Sequence, residues 1–205
     1  ADKIDLNFNI QNIEESRHKQ KLEDDFSTSR IEKLNIFDSK ISFHKNIRNW
    51  QIDYGFSNRY EILSSDAYNK DSSGNISFAT SRYPDNGSEV LNFSTFILSE
   101  YKANNKLKWF NAVRGDFEKI EARFSEISSV FPMGTDLSLL TKNWNIAASS
   151  SLFYSFLENN FISFSVYNSF RNPNIDDVGK IFSKVDGVVV VPNPDLQSEK
   201  IISSE

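Results

Sequence analysis

The 205-residue sequence contains no cysteine, only two histidines and no strong excess of either charge. Without cysteine, the chain forms neither a disulfide framework nor a cysteine-ligated metal site. Its formal net charge of −5 gives no electrostatic basis for binding nucleic acid. The mean hydropathy is −0.47, and no apolar run is long enough for a membrane-spanning helix. Membrane proteins built from β-strands are not excluded, because each transmembrane strand carries a much weaker signal.

Apolar and polar residues alternate along several segments of the chain. In residues 4–10, Ile, Leu, Phe and Ile alternate with Asp, Asn and Asn, and the pattern returns at 50–60 and 162–170. A period of two places the apolar side chains on one face of a β-strand and the polar ones on the other. Further strand candidates, rich in aromatic and β-branched residues, are 30–45, 89–101, 106–117 and 143–156. With one more strand starting at 197–203, the sequence predicts an all-β protein of about eight strands.

The connections between these segments alternate in length. Short turns are expected near 44–49, 102–106 and 157–160. Long polar connections are expected at roughly 14–30, 63–88, 119–141 and 171–195. Antiparallel strands joined in this way have all short turns at one end and all long loops at the other, which is typical of an outer-membrane barrel. The pattern also leaves open a soluble β-sandwich that acts as a carbohydrate- or ligand-binding module.

Two segments rich in proline and asparagine enclose the last long connection. They are Phe-Arg-Asn-Pro-Asn at 170–174 and Pro-Asn-Pro-Asp-Leu at 192–196. Pro173 donates no hydrogen bond to a strand ladder and restricts Asn172 to extended conformations. We therefore expect one strand to end near Phe170 and the next to begin after the second segment.

These two segments resemble sequence boxes of the TonB-dependent outer-membrane receptors. The barrels of that family carry a Phe-Arg-Ala-Pro-Asn box and an Asn-Pro-Asn/Asp-Leu box around an extracellular loop. Residues 81–88 are similar to a second loop of such receptors. Two positions differ from the family pattern: Asn172 replaces the usual Ala, and Ser198 stands where Pro is common.

The resemblance implies an antiparallel up-and-down transmembrane β-barrel, of which this chain is a partial segment. Residues 1–205 would then be part of a C-terminal barrel domain, with the plug domain and the remaining strands outside this chain. The implied function is active uptake of a scarce ligand, such as an iron–siderophore complex, haem or cobalamin, across the cell outer membrane. The implied partners are the TonB complex, acting through the plug, a ligand such as a ferric siderophore, and outer-membrane lipid. No enzymatic activity and no cofactor are expected.

Residues that contact the ligand are expected in the loops at the outer mouth, because long loops carry function. The candidates are Arg82, Tyr83, Arg171, Asn174, Asp176, Asp177, Asn193 and Asp195. For Arg171 we favour a structural role, paired with Asp176 or Asp177. Adjacent carboxylates on extended backbone point to opposite faces, so these two form a poor acid–base pair and no catalytic residue is assigned.

The histidines and aromatic residues give two further expectations. Haem uptake in the resembled family is associated with a histidine between the two boxes, where this chain has none. Of the two histidines present, His44 is expected in a periplasmic turn and His18 in an outer loop. No clustered metal site is expected. In a barrel, the tryptophans and several other aromatic side chains form interfacial girdles, whereas in a sandwich they form the core. They are Trp50, Tyr60, Trp109, Trp144, Tyr154 and Phe161. The same distinction applies to Ile52, Tyr54 and Phe164, which face outward in a barrel and meet across a dry centre in a sandwich.

Overall fold

A computed structural model describes residues 1–20, 22, 24–124, 137–157, 160–180, 182–185, 188–190 and 192–205. The elements are β1 (Lys3–Lys19), β2 (Phe26–Ile47), β3 (Trp50–Asp71), β4 (Ile76–Phe78), β5 (Ser88–Lys102), β6 (Leu107–Phe124), β7 (Leu137–Leu157), β8 (Asn160–Arg171), α1 (Ile175–Val178), β9 (Phe182–Val185), β10 (Val188–Val190) and β11 (Glu199–Ser204). In these ranges, no helix has the length and apolar character needed to cross a membrane.

The long strands form one antiparallel sheet in the order β1-β2-β3-β5-β6-β7-β8-β11. Each strand of this path pairs with its neighbour in sequence, apart from the short β4, which adds to β3, and the separate β9–β10 ribbon. This is the up-and-down topology that the alternating connections predict. In the described sheet, β1 and β11 are the two edge strands.

The strands extend further than their apolar patterns suggest. β2 and β3 each contain 22 residues, and much of the long connections predicted at 14–30 and 63–88 is strand. The ladder continues through polar sequence, since residues 14–19 pair with 28–33 and backbone hydrogen bonds do not require apolar side chains. His18 accordingly lies in β1 and His44 in β2, so their predicted placement in loop and turn was wrong. Most of the connection predicted at 119–141, and part of the turn at 157–160, lie outside the described residues.

The two faces of the sheet differ in character. One face, called the outer face below, carries large apolar side chains that are exposed, such as Phe8 at 71% and Trp144 at 75% of full exposure. Tyr54 and Phe164 also lie exposed on this face, and Ile52 is half-buried there. No second sheet of the described residues packs against these side chains. The face packing of a soluble sandwich is therefore not the arrangement observed.

The other face, called the inner face below, is covered at the long-loop end by residues 79–87 and α1. A small apolar cluster fixes α1 there, because Val178 is fully buried against side chains of β6 and β7. The cluster members are Ile120, Ala122, Phe124, Leu139 and Val178, with Val90, Ile175 and Leu196 packed around them. The connection that contains both proline boxes is thus folded back onto the sheet.

Candidate functional site

Three of the predicted mouth residues meet around one carboxylate. Asp176 Oδ1 accepts hydrogen bonds from Arg82 Nη2 at 3.2 Å and from Tyr83 OH at 2.9 Å. Its Oδ2 accepts from Lys180 Nζ at 3.1 Å, and the Arg82 guanidinium lies 5.1 Å from the centre of the Tyr83 ring. The cluster joins two loops that are more than ninety residues apart in sequence.

The electrostatics of this cluster hold it together at neutral pH. Partial burial and the hydrogen bond to Asp176 raise the pKa of Tyr83 to about 12, so the phenol remains a donor. Burial by itself would raise the pKa of Asp176. The hydrogen bonds from Lys180 and Tyr83 and the nearby positive charges outweigh that effect and lower this pKa below its ordinary value. The carboxylate is therefore charged and accepts all three donors.

A second group of predicted residues builds the start of α1. Asn174 is the N-cap: its side chain accepts from the Asp177 backbone N–H, and the Asp177 side chain accepts from the Asn174 backbone N–H. This reciprocal arrangement is a capping box. Arg171 Nη2 lies 2.7 Å from Asp177 Oδ2, and its Nη1 lies 3.3 Å from Glu199 Oε1. Arg171 therefore forms the predicted structural ion pair, and of the two candidate partners Asp176 and Asp177 it pairs with Asp177.

The expectation that Asp176 and Asp177 lie on extended backbone was wrong, because Asn174 starts a helical turn there. The two carboxylates still point to different partners, Asp176 toward Arg82 and Asp177 toward Arg171. The second proline box is attached to the same turn. The Asn193 backbone N–H donates to the Val178 carbonyl at 3.0 Å, and the Asn193 side chain accepts from the Asp195 N–H at 3.1 Å.

A buried polar network beneath these loops was not predicted from the sequence. Its centre is Asp116 on β6, which accepts from Ser94 Oγ at 2.7 Å, Asn92 Nδ2 at 2.9 Å and Asn172 Nδ2 at 3.2 Å. Asp116 also pairs with Arg114 Nη2 at 2.9 Å. Since the Asp116 side chain is 1% exposed, these donors supply the partners that a buried carboxylate requires.

The two residues that depart from the family boxes both belong to this network. Ser198 Oγ donates to Asn172 Oδ1 at 2.7 Å. Asn145 Nδ2 on β7 donates to Asn172 Oδ1 at 2.6 Å and to Ser198 Oγ at 2.8 Å. The polar residues at these two positions therefore bond to each other across the two ends of the 172–198 connection. Both positions depart from the usual Ala and Pro of the resembled boxes, but the sequence does not show which partners they bind.

The histidines lie away from the mouth cluster. The His18 Nδ1 is 2.8 Å from the Ser29 hydroxyl. The His44 ring lies between the carboxylates of Asp53 and Asp5, three residues before β2 ends at the short turn. Among the described residues, no three His, Asp or Glu side chains are grouped as a closed metal site. The mouth cluster of Arg82, Tyr83, Asp176 and Lys180 offers a guanidinium, a phenol, an ammonium and one carboxylate, which recognise charged and hydrogen-bonding ligands.

Comparison with known proteins identifies the fold. No protein-family model and no curated protein sequence matches this chain. Among solved structures, the copper transporter OprC aligns at a TM-score of 0.77 with 8% identity, over 98% of this chain and 32% of that one. The siderophore receptor PiuA from Acinetobacter baumannii aligns at 0.56 with 12% identity, over 87% and 29% of the two chains. The ferric yersiniabactin uptake receptor FyuA from Yersinia pestis aligns at 0.53 with 9% identity, over 97% and 29%.

The chain spans about a third of the length of the structures it matches. At these identities the likeness establishes the fold alone. Together with the sheet order and the exposed apolar face, it confirms the predicted fold class. The chain has the fold of an antiparallel up-and-down β-barrel wall, present as a partial segment of seven long strands and the six-residue β11.

Proposed function

We propose that this chain forms part of the wall and outer mouth of a TonB-dependent receptor in a Gram-negative outer membrane. In this proposal the receptor takes up a scarce ligand, with energy delivered by the TonB complex through a plug domain outside these residues. The observation that carries the proposal is the row of large apolar side chains exposed on the outer face of the sheet. Water does not stabilise such a continuous apolar surface, whereas bilayer hydrocarbon does.

The dimensions of this surface support a membrane location. Trp144 and Tyr154 both lie exposed on the outer face of β7, ten positions apart. At ~3.3 Å per residue that separation is about 33 Å along the strand. A strand tilt of about 40° projects it to about 25 Å, the height of the apolar band of outer-membrane barrels. The two rings are thus spaced as upper and lower interfacial girdles would be.

The edges of the sheet support the assignment to a larger barrel domain. β1 and β11 each have one unpaired side in the described sheet. Unpaired strand edges are unfavourable in lipid, because backbone groups there need partners. Additional strands on both sides would supply those partners. We therefore place residues 1–205 within a C-terminal barrel domain, with the remaining strands and the plug elsewhere in the polypeptide.

For the ligand, we favour a ferric chelate such as a siderophore complex. The matched structures are named as a copper transporter, a siderophore receptor and a ferric yersiniabactin uptake receptor. Ferric chelates are commonly anionic, and Arg82 and Lys180, which share the carboxylate of Asp176, supply positive charge at the mouth to meet them. Haem is less favoured, because the box-enclosed loop contains no histidine.

Membrane insertion is tested by placing one lysine on each face of β7. Ile146→Lys puts a charge on the outer face, and Ser149→Lys puts the same charge on the inner face three residues away, opposite the uncharged Ala112. In lipid vesicles, we expect the outer variant to lose about 2–4 kcal/mol of folding free energy and the inner one much less. Equal losses for both variants would contradict the membrane assignment.

Transport is tested separately in cells that lack the native gene. We expect the complete protein to restore ferric siderophore uptake. We expect that uptake to be lost when TonB is deleted. Uptake that persists without TonB would contradict the proposed energy coupling while leaving the membrane assignment unaffected.

A further inference from the structure

The inner face contains a buried carboxylate that has no hydrogen-bond partner among the described residues. Glu32, on β2, is only 6% exposed. In the part of the chain that the structure describes, neither of its carboxylate oxygens has a hydrogen-bond partner. Burial of an unpaired carboxylate is strongly unfavourable, and native proteins usually satisfy such a group with water or an ion.

The neighbours of Glu32 increase the negative charge and add oxygen donors. In the strand register, Glu15 of β1 lies directly opposite Glu32 on one side, and Ser65 of β3 lies opposite on the other. Directly opposed like charges on neighbouring strands are destabilising. The hydroxyls of Ser65 and Ser88 are also buried, and neither has a hydrogen-bond partner within the described ranges. The site therefore combines an unpaired charge with free oxygen atoms.

Glu15, Glu32 and Ser88 line a partly open cavity beneath residues 79–87 and α1. The cavity has a volume of about 190 Å³; its polar lining is Glu15, Glu32, Glu61, Ser88 and Tyr83, and its apolar lining is Ile13, Leu34, Leu63, Val90 and Ile175. Since one water molecule occupies about 30 Å³ of liquid, the space accommodates an ion with several waters. Tyr83, from residues 79–87, and Ile175, from α1, cover the cavity on the side away from the sheet.

The charges of the three glutamates are compensated unequally. Glu15 pairs with Arg17 Nη2 at 2.6 Å, and Glu61 pairs with Arg59. Both pairs include partly exposed arginines, and such ion pairs are weak. Glu32 has no ion pair with the described residues. The most buried carboxylate of the cavity therefore has only a longer-range interaction with the Arg17 guanidinium, which itself pairs with Glu15.

We propose that this cavity binds a hard divalent cation of the Ca²⁺ type, with Glu32 as the principal ligand. Glu15, the Ser88 hydroxyl and water complete the coordination. Ca²⁺ takes six to eight oxygen ligands in flexible geometry, and the donors here are all oxygen. Softer metals prefer sulfur and imidazole ligands, which this cavity does not contain. The bound ion would connect the first two strands to the segment that carries Tyr83.

This proposal is tested with the protein purified in detergent, first treated with EDTA and then titrated with Ca²⁺ by calorimetry. We expect one Ca²⁺ per chain, with Glu32→Gln weakening binding at least tenfold and Ser88→Ala weakening it severalfold. Glu14→Gln is the matched control, because Glu14 neighbours Glu15 in sequence but is exposed on the opposite face. It removes the same charge and should leave the affinity unchanged.

Thermal unfolding provides a second readout that does not depend on calorimetry. In EDTA, Glu32→Gln should unfold at a higher temperature than the unsubstituted protein, because it removes an unpaired buried charge. Excess Ca²⁺ should reverse that order. Unchanged Ca²⁺ affinity in Glu32→Gln, equal losses in Glu32→Gln and Glu14→Gln, or no Ca²⁺ binding at all would each overturn the proposal.

Discussion

The bond between Asn172 and Ser198 predicts a measurable energetic coupling between the two proline boxes. Asn172→Ala removes two neutral hydrogen bonds, from Asn145 and Ser198, and one to the buried Asp116 carboxylate. At about 1 kcal/mol for each neutral bond and about 1.5–2 kcal/mol for the charged one, the expected loss is about 3.5–4 kcal/mol. Ser198→Ala removes two neutral bonds and should cost about 2 kcal/mol.

The double variant distinguishes a connected network from independent contacts. Because the Ser198–Asn172 bond is lost in both single variants, the double variant should lose about 1 kcal/mol less than the sum. Equilibrium unfolding by urea in lipid vesicles, followed by the fluorescence of the three tryptophans, measures each loss. Ser163→Ala, at an exposed serine of β8, is the control and should change stability by less than about 0.5 kcal/mol. Strict additivity, or a loss in Asn172→Ala no larger than the control, would refute the reasoning.

Three further predictions concern the loops and the wall. The Tyr83–Asp176 contact should persist at neutral pH. It should weaken below pH 3.8, the ordinary pKa of an Asp side chain, because Asp176 then takes up a proton. It should weaken again between pH 10 and about 12, because Tyr83 then loses its proton. Tyr83→Phe should abolish only the alkaline transition in hydrogen exchange of residues 79–87. Gly55→Ala should destabilise the wall by about 1–3 kcal/mol, since the added methyl overlaps a carbonyl oxygen of β2. Gly115→Ala, whose methyl makes only an ordinary contact at 3.5 Å, should be tolerated in the same unfolding assay. Val178→Ala should cost about 2 kcal/mol and increase protease cleavage near α1.

The sheet and the orientation of its faces could be predicted from the sequence. Side-chain alternation has a period of two only in strands, so the placement of Tyr54 and Phe164 on one exposed face follows from local pattern. Strand ends could not be predicted as well, because pairing continues through the charged segment 14–19. Nothing in the hydropathy of that segment marks it as strand.

The site was predictable only where local chemistry determines it. Asn174 followed three residues later by Asp177 is a helix-start signature, and it predicts the helical turn that contains Asp176. The network around Asp116 depends on partners up to 56 residues away in sequence, so no local pattern reveals it. The burial of Glu32 likewise results from three strands and a returning loop, not from its own neighbours in sequence.

The central claim is that the apolar face contacts lipid and the polar face contacts water. The chain contains no cysteine, so single cysteines introduced at Ile146 and Ala147 can each carry a spin label on opposite faces of β7. In the protein reconstituted into vesicles, oxygen dissolved in the lipid should accelerate the spin relaxation of the label at 146. A water-soluble nickel chelate should accelerate the spin relaxation of the label at 147. Nickel access at both positions, or oxygen access greater at 147 than at 146, would contradict the account.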